Sequence, residues 1–439
     1  MVAVHDSSIA TQATRLDAIQ GRFDPWLLGV SIALAAFGIV MVASASIAIG
    51  QEHSGNPYHY LVRHVVFVGL GVALCAAMMR TELKLLERWP QLLLLACFGL
   101  LALVYVPGLG HSVNGATRWI NLGVSKFQVV EAVKIVYVVW LASYLVRFRD
   151  EVNATWPAML KPIGVAVLLV GLLLAQPDFG SATMLLAVTA GMLVLGGVHL
   201  PKMAAPVIIG LPLLAALAIF EPYRMRRLVS FLDPWEDQLG AGYQLSNALM
   251  AIGRGELSGV GLGGSVQKLS YLPEAHTDFI LAVIGEELGF LGICLVIAPY
   301  ALLIGRALWI GYRCVGMRRH FAGYIAFGLA LMIGLQSLVS IGVNLGLLPT
   351  KGLTLPLISS GGSSVMMTCV AVGLLLRVSY ELDRAQRQVA RLRGEAARPA
   401  PGGVPATAQP VAAAAASATR GTSRLRQRAE PGIGAGRQA

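Results

Sequence analysis

Asp278 closes the run Leu269-Ser-Tyr-Leu-Pro-Glu274-Ala-His276-Thr-Asp278 and stands at the mouth of a long apolar stretch. An ionisable group at or inside a bilayer costs roughly 3 kcal/mol or more, so such a group usually faces a wet cavity on a substrate or ion path. A solvated loop acid preceding a helix is the plainer reading. A carboxylate of this kind serves as a general base when it lies within hydrogen-bond reach of an attacking hydroxyl. Glu274 and His276 belong to the same run and are candidates to support it.

The candidate cations are Arg118, Lys134, Arg224, Arg226, Arg227 and Lys351. Arg224, Arg226 and Arg227 fall within four residues, and guanidinium forks match phosphate oxygens in bidentate geometry. An indifferent exposed cluster is the alternative. Glu131 and Lys134 are three apart on one helix face, where they either neutralise each other or leave the ammonium for an anionic ligand. Gln176-Pro-Asp178-Phe-Gly180 reads first as a tight turn with an Asp N-cap, and Asp178 stands second as a supporting site residue. Lys351 is the single charge in Leu348-Pro-Thr-Lys351-Gly-Leu-Thr-Leu-Pro356-Leu-Ile-Ser359-Ser-Gly-Gly-Ser363-Ser, a segment of irregular backbone suited to lining a cavity, with Ser363 a further supporting candidate. A lysine snorkelling to the interface is the other reading of Lys351. Cations for a phosphate and a carboxylate for a proton are the equipment for transfer from a phosphate-linked donor.

The elements that must position these residues are membrane helices. The 439 residues are 56% hydrophobic and 13% charged, with a mean hydropathy of +0.68, which excludes an ordinary soluble domain. Ten stretches are long enough to cross a hydrocarbon core: 26–48, 60–79, 91–107, 126–146, 162–176, 180–197, 203–220, 278–304, 321–346 and 362–379. The expected fold class is therefore an all-α polytopic membrane protein with ten transmembrane helices. Arg80, Lys84 and Arg88, then Arg147, Arg149 and Lys161, then Arg306, Arg313, Arg318 and Arg319 mark three loops as cytoplasmic, whereas 49–59 and 177–179 carry no Lys or Arg. Both termini are then cytoplasmic, and 221–277 is a large extracytoplasmic (periplasmic) loop between spans seven and eight that delivers Asp278 to the outer face. Within it, Leu245, Ala248, Leu249 and Ile252 have the spacing of an amphipathic helix lying on the membrane surface.

The domain reading is a cytoplasmic N-terminal tail over 1–25, a membrane domain over 26–380, and a basic cytoplasmic tail over 381–439, mostly disordered. The first 25 residues hold Asp6, Asp17 and Asp24 and lack the short apolar core of a signal peptide. The formal charge of +11 is not a nucleic-acid signal, because from Arg377 onward eleven Arg stand against four acids. Attraction to anionic lipid accounts for such a tail. None of the five cysteines falls in an outside loop, so no disulfide framework is expected. Gly259-Val-Gly261-Leu-Gly263-Gly264 satisfies G-x-G-x-x-G, but it follows no strand and is expected outside the cytoplasm, so it reads as flexible backbone near the ligand rather than a dinucleotide site.

Gly259 through Phe279, then Gly285-Glu-Glu-Leu-Gly289, strongly resemble the SEDS (shape, elongation, division and sporulation) family. Thr117-Arg118-Trp-Ile, Gln176-Pro-Asp178, Arg226-Arg227, Leu348-Pro-Thr-Lys351-Gly-Leu and Ser360-Gly-Gly-Ser-Ser support it, over about residues 26–385 and with the division member as the better match. The resemblance implies a cell inner-membrane glycosyltransferase that polymerises lipid II into glycan strands at the division septum. Its partners would be lipid II, the nascent glycan strand, a class B penicillin-binding transpeptidase, other divisome proteins and the membrane, with no nucleic acid. The family's catalytic aspartate falls on Asp278 and its functionally sensitive lysine on Lys351. One departure stands out: relatives read Phe-Gln-Pro-Ser-Glu where this chain reads Phe127-Gln-Val-Val-Glu131, which bears on the entry angle of the fourth span. No cofactor and no protein-borne metal site is expected. A divalent cation is admissible at the leaving group. Lipid II flipping and a non-catalytic divisome scaffold are the alternatives, with the crowding of charge in the outer half weighing against a flippase path.

Overall fold

The structure, a computed structural model, describes residues 19–113, 116–121 and 126–396. Most of the N-terminal tail, Asn114 and Gly115, residues 122–125 and the tail from 397 lie outside the described residues. One compact unit runs to Arg391, and of the second, Leu392–Ala439, the described part is the end of a helix.

The helices in chain order are α1 (Pro25–Ser54), α2 (His59–Arg80), α3 (Leu83–Arg88) and α4 (Pro90–Leu103), then α5 (Val129–Arg147), α6 (Arg149–Ala154), α7 (Trp156–Ala175), α8 (Phe179–Leu195), α9 (Leu200–Ile219), α10 (Pro222–Leu232), α11 (Tyr243–Gly255), α12 (Ile280–Gly316), α13 (His320–Asn344) and α14 (Gly362–Ala396). Eight of these, α1, α2, α5, α7, α9, α12, α13 and α14, are long and apolar enough to cross a membrane. The apolar helices α4 and α8 are shorter, at 14 and 17 residues. Local chemistry sets the ends. Asp24 accepts the Leu27 N–H at 3.0 Å with Pro25 in the first turn, and Gly55 closes α1 in the left-handed region at φ 65°. The main core is an apolar cluster reaching from Leu27 to Leu382, with a smaller one around Phe279, and α5 and α13 are mostly buried whereas α9 buries little of itself.

Three features depart from the expected pattern. The third apolar stretch ends at Leu103, and the chain then forms an antiparallel sheet of β1 (Gly110–Val113), β2 (Ala116–Asn121) and β3 (Lys126–Gln128), ordered β1-β2-β3 with Trp119 opposite Gln128. Strand β3 runs straight into α5, so the ladder sets the entry of that helix. The eighth stretch begins at Ile280 and continues to Gly316. Finally, α11 does not lie on a membrane surface: Leu245, Ala248 and Ala251 are buried, the two alanines in a cluster with Phe279, Ala282, Val283 and Val343. An amphipathic face seeks any apolar surface, and here the protein supplies it.

Helix α12 is broken at Gly289 (φ 66°, ψ −161°), and the preceding loop repairs the break. Val260 and Gly261 donate to the carbonyls of Glu286 and Glu287, both at 3.0 Å, while the Phe290 and Leu291 N–H groups reach back to the carbonyls of Glu256 and Leu257. A Cβ on Gly259 would stand 2.1 Å from the Glu287 carbonyl oxygen. The glycines expected to be loose near a ligand therefore include one that is fixed, because only an unsubstituted backbone approaches the helix this closely.

Candidate functional site

Asp278 sits in the last turn of the loop before α12, half-buried at one end of the bundle. Its own backbone is anchored, since Asn344 Nδ2 donates to the Asp278 carbonyl at 2.9 Å while Asn344 Oδ1 accepts the Ala282 N–H at 3.1 Å. The Ser359 hydroxyl donates to the Thr277 carbonyl at 2.6 Å, and the Ser360 N–H to that of His276 at 2.9 Å. The carboxyl is pressed against the Lys351 segment, where a Cβ on Gly352 would stand 3.1 Å from Asp278 Oδ2. The carboxyl is raised from 3.8 to about 7, chiefly by burial and also by the Glu274 charge, while the Arg227 guanidinium draws it down. A carboxyl near 7 is poised to exchange a proton at neutral pH.

Glu274 is exposed, has a positive φ of 57°, and accepts the Thr277 hydroxyl at 2.6 Å. His276 is buried against the Tyr60 ring at 4.6 Å, with burial the main cause of its lowered pKa, and its Nδ1 has no partner.

One of the predicted cations, Arg227, acts on this acid, and two more meet at Phe179. Arg227 donates to the Thr350 carbonyl at 3.1 Å and lies over the Tyr223 ring. Arg224 and Lys351 flank the ring of Phe179, at 4.9 Å and 5.3 Å from its centroid. Burial lowers the Lys351 ammonium pKa, and the carboxylate of Asp178 opposes that. Arg226 is exposed on α10.

The other candidates serve the scaffold. Arg118 reaches from β2 to the carbonyls of Gln176 (3.0 Å) and Pro177, clamping the turn into α8. Asp178 caps that helix, accepting the Ser181 N–H and hydroxyl at 3.1 and 2.8 Å. Lys134 is buried in an ion pair with Glu131 at 2.9 Å and bonds Gln336 Oε1 at 2.9 Å, so it is neutralised within the bundle rather than free for a ligand. Gln336 passes the network to the Thr354 carbonyl at 3.0 Å, tying α5 and α13 to the segment that carries Lys351. Ser363 is buried at the start of α14.

Sequence reasoning missed Asn344, Gln336, Gly352 and Phe179. The first two are polar residues in an apolar span, a signal that was available. The role of Gly352 is visible only in space. It also missed a second buried pair, Lys268 with Glu287 at 2.7 Å, joined by Ser44, and the Glu286 carboxylate that collects Arg254 and the N–H groups of Val266 and Gln267. Among the described residues, no three His, Cys, Asp or Glu side chains come together as a metal site.

Membrane-length helices packed around an apolar core that holds a few buried polar networks define a multi-pass integral membrane protein. Residues 25–384 match the FTSW_RODA_SPOVE family, described as a cell cycle protein. The "Probable peptidoglycan glycosyltransferase FtsW" of Xanthomonas oryzae pv. oryzae is 67% identical over 396 residues, covering 90% of this chain and 81% of that one. The protein of the same name from Coxiella burnetii is 46% identical over 83% of this chain and 98% of its own. Among solved structures, one described as "Structural coordination of polymerization and crosslinking by a peptidoglycan synthase complex" aligns with a TM-score of 0.67 at 30% identity, over 82% of this chain and 98% of that chain. The crystal structure of the rod shape determining protein RodA of Thermus thermophilus gives 0.61 at 29%, over 81% and 96%. The chain belongs to the FtsW/RodA/SpoVE family, the SEDS proteins.

Proposed function

We propose that this chain is a peptidoglycan glycosyltransferase that polymerises lipid II at the division septum. The names of its relatives support the activity, and the observation that carries the chemistry is the half-buried Asp278 carboxyl, raised to about 7 beside Arg227 and the Lys351 segment. In the proposed reaction, Asp278 takes the proton of the 4-hydroxyl of the acceptor's terminal N-acetylglucosamine. The oxygen attacks the anomeric carbon of N-acetylmuramic acid on the growing strand, the bond to the donor's phosphate oxygen breaks, and undecaprenyl pyrophosphate leaves. Arg227, Lys351 and Arg224 receive the charge on the departing pyrophosphate, with Arg226 at the margin and Arg118 holding the turn into α8. Glu274 and His276 shape the loop that carries the acid. No cofactor enters the proposal, and a divalent cation is admitted only at the pyrophosphate.

The proposed topology has ten spans, the eight long helices together with α4 and α8, with both termini cytoplasmic. It divides the chain into an N-terminal tail over 1–25, a membrane domain over 26–380 and a basic tail over 381–439. The Lys and Arg pattern of the loops supports it and puts Asp278 on the periplasmic side, at the end of the 221–277 connection. The partner is a class B penicillin-binding transpeptidase, alongside other divisome proteins. The similarity to a chain of a peptidoglycan synthase complex, in which polymerisation is coordinated with crosslinking, supports such a pairing.

The test uses the purified chain with that transpeptidase, lipid II and no membrane potential. Glycan strands from the wild type and none from a folded, partner-bound Asp278→Asn are expected. Equal polymer from both removes Asp278 as the base, and polymer from neither moves the assignment to flipping or scaffolding.

A further inference from the structure

The end of the bundle opposite Asp278 carries a second arrangement that the proposed reaction does not use. There α8, α9, α12 and α13 leave a lateral apolar groove of about 540 Å³, lined among others by Gly191, Val194, Met203, Val207, Leu308 and Leu331. It opens sideways because α9 buries little of itself beyond Met203. On α9 the lining runs from Leu200 to Val207, about 10 Å along the axis, so the groove covers about a third of the ~30 Å thickness of a hydrocarbon core. Its length is that of the first part of an acyl chain.

A cationic shelf stands at the mouth, built on the short helix α6. At one end of α6, Arg149 Nη1 donates to His320 Nε2 at 2.8 Å, at the start of α13 and next to the exposed Arg318 and Arg319. At its other end, the carbonyls of Asn153 and Ala154 hold the ammonium of Lys202, two residues along α9 from Leu200 at the groove entrance. Lys161 lies over the Phe148 ring just before α6. Asp150 and Glu151 are the acids on the same short helix, so positive charge is in excess. Neither half identifies a ligand alone. Together, a lateral apolar slot beside a group of cationic side chains matches a lipid with an anionic head.

We propose that the groove and the shelf form one site for an anionic phospholipid, with an acyl chain between α8 and α9 and the phosphate among Arg149, Arg319 and Lys202. The site shares no residue with the glycosyl-transfer reading and stands without it.

The experiment measures thermal unfolding of the full chain in detergent, stripped of lipid, on adding phosphatidylglycerol, phosphatidylcholine of the same chains, or glycerol 3-phosphate. Phosphatidylglycerol is expected to raise the midpoint by about 3–5 °C more than phosphatidylcholine, and glycerol 3-phosphate to do nothing. Arg149→Gln with Arg319→Gln equalises the two lipids, and Val194→Phe, which fills the groove, lowers the response to both. Arg319→Gln alone, a change at an exposed side chain, gives a smaller gap should the double variant be unstable. Equal stabilisation of the wild type by the two lipids, or a gap unchanged in both arginine variants, overturns the proposal. A full response to glycerol 3-phosphate assigns the shelf to a free phosphate, and no response to any lipid leaves the groove to a protein helix; either result also overturns it.

Discussion

A base held near neutrality makes a sharp prediction about pH. The Asp278 carboxyl sits at about 7 instead of 3.8 because it is buried beside Glu274, and only its ionised form accepts a proton. If transfer depends on that form, kcat/KM falls about tenfold for each pH step below 7, leaving about 1% at pH 5. An unperturbed carboxyl would leave the rate flat from pH 8 to pH 5. The neighbours set opposite signs. Glu274→Gln removes the charge that pushes the carboxyl up, so the midpoint of the profile moves to lower pH. Arg227→Gln removes the cation that draws it down, so the midpoint moves higher. The assay is lipid II polymerisation by the purified complex between about pH 5 and pH 8.5, with gel filtration confirming that each variant is folded. A flat profile, or two variants that shift the midpoint in the same direction, refutes the reasoning.

Two further outcomes follow from close packing. Gly352→Ala puts a methyl 3.1 Å from Asp278 Oδ2, and the displaced carboxyl is expected to cost about 10- to 100-fold in kcat with little change in unfolding temperature. Lys268→Met leaves Glu287 buried without its cation and is expected to cost about 3–5 kcal/mol of stability; adding Glu287→Gln restores part of it, as thermal unfolding of the single and double variants will show.

The helical class was legible because apolar stretches of membrane length leave few alternatives, and Asp278 stood out because a charge beside such a stretch is costly. Arg224, Arg226 and Arg227 stood out as a cluster suited to phosphate, but that Arg224 and Lys351 share the Phe179 ring is visible only in space. Lys134 was harder: its spacing from Glu131 allowed both a pair and a free ammonium, and Gln336, 202 residues further on, completes the pairing. The three-stranded sheet was missed because β3 has only three residues and leads directly into apolar helix. The face of α11 was read correctly as apolar, but periodicity does not say whether lipid or protein covers it. Gly352 had no sequence signal, since its role is to be absent from the space Asp278 occupies.

The interruption at Gly289 makes Ile280–Leu288 a stub whose far end is stitched to residues 256–261 rather than to the rest of its own helix. Asp278 stands just before the other end of that stub, where Asn344, Ser359 and Ser360 hold the loop. Both ends of this segment of about two and a half turns are thus pinned by distant parts of the chain, so the carboxyl takes its position from the loops that bracket the stub and not from the long span that follows it.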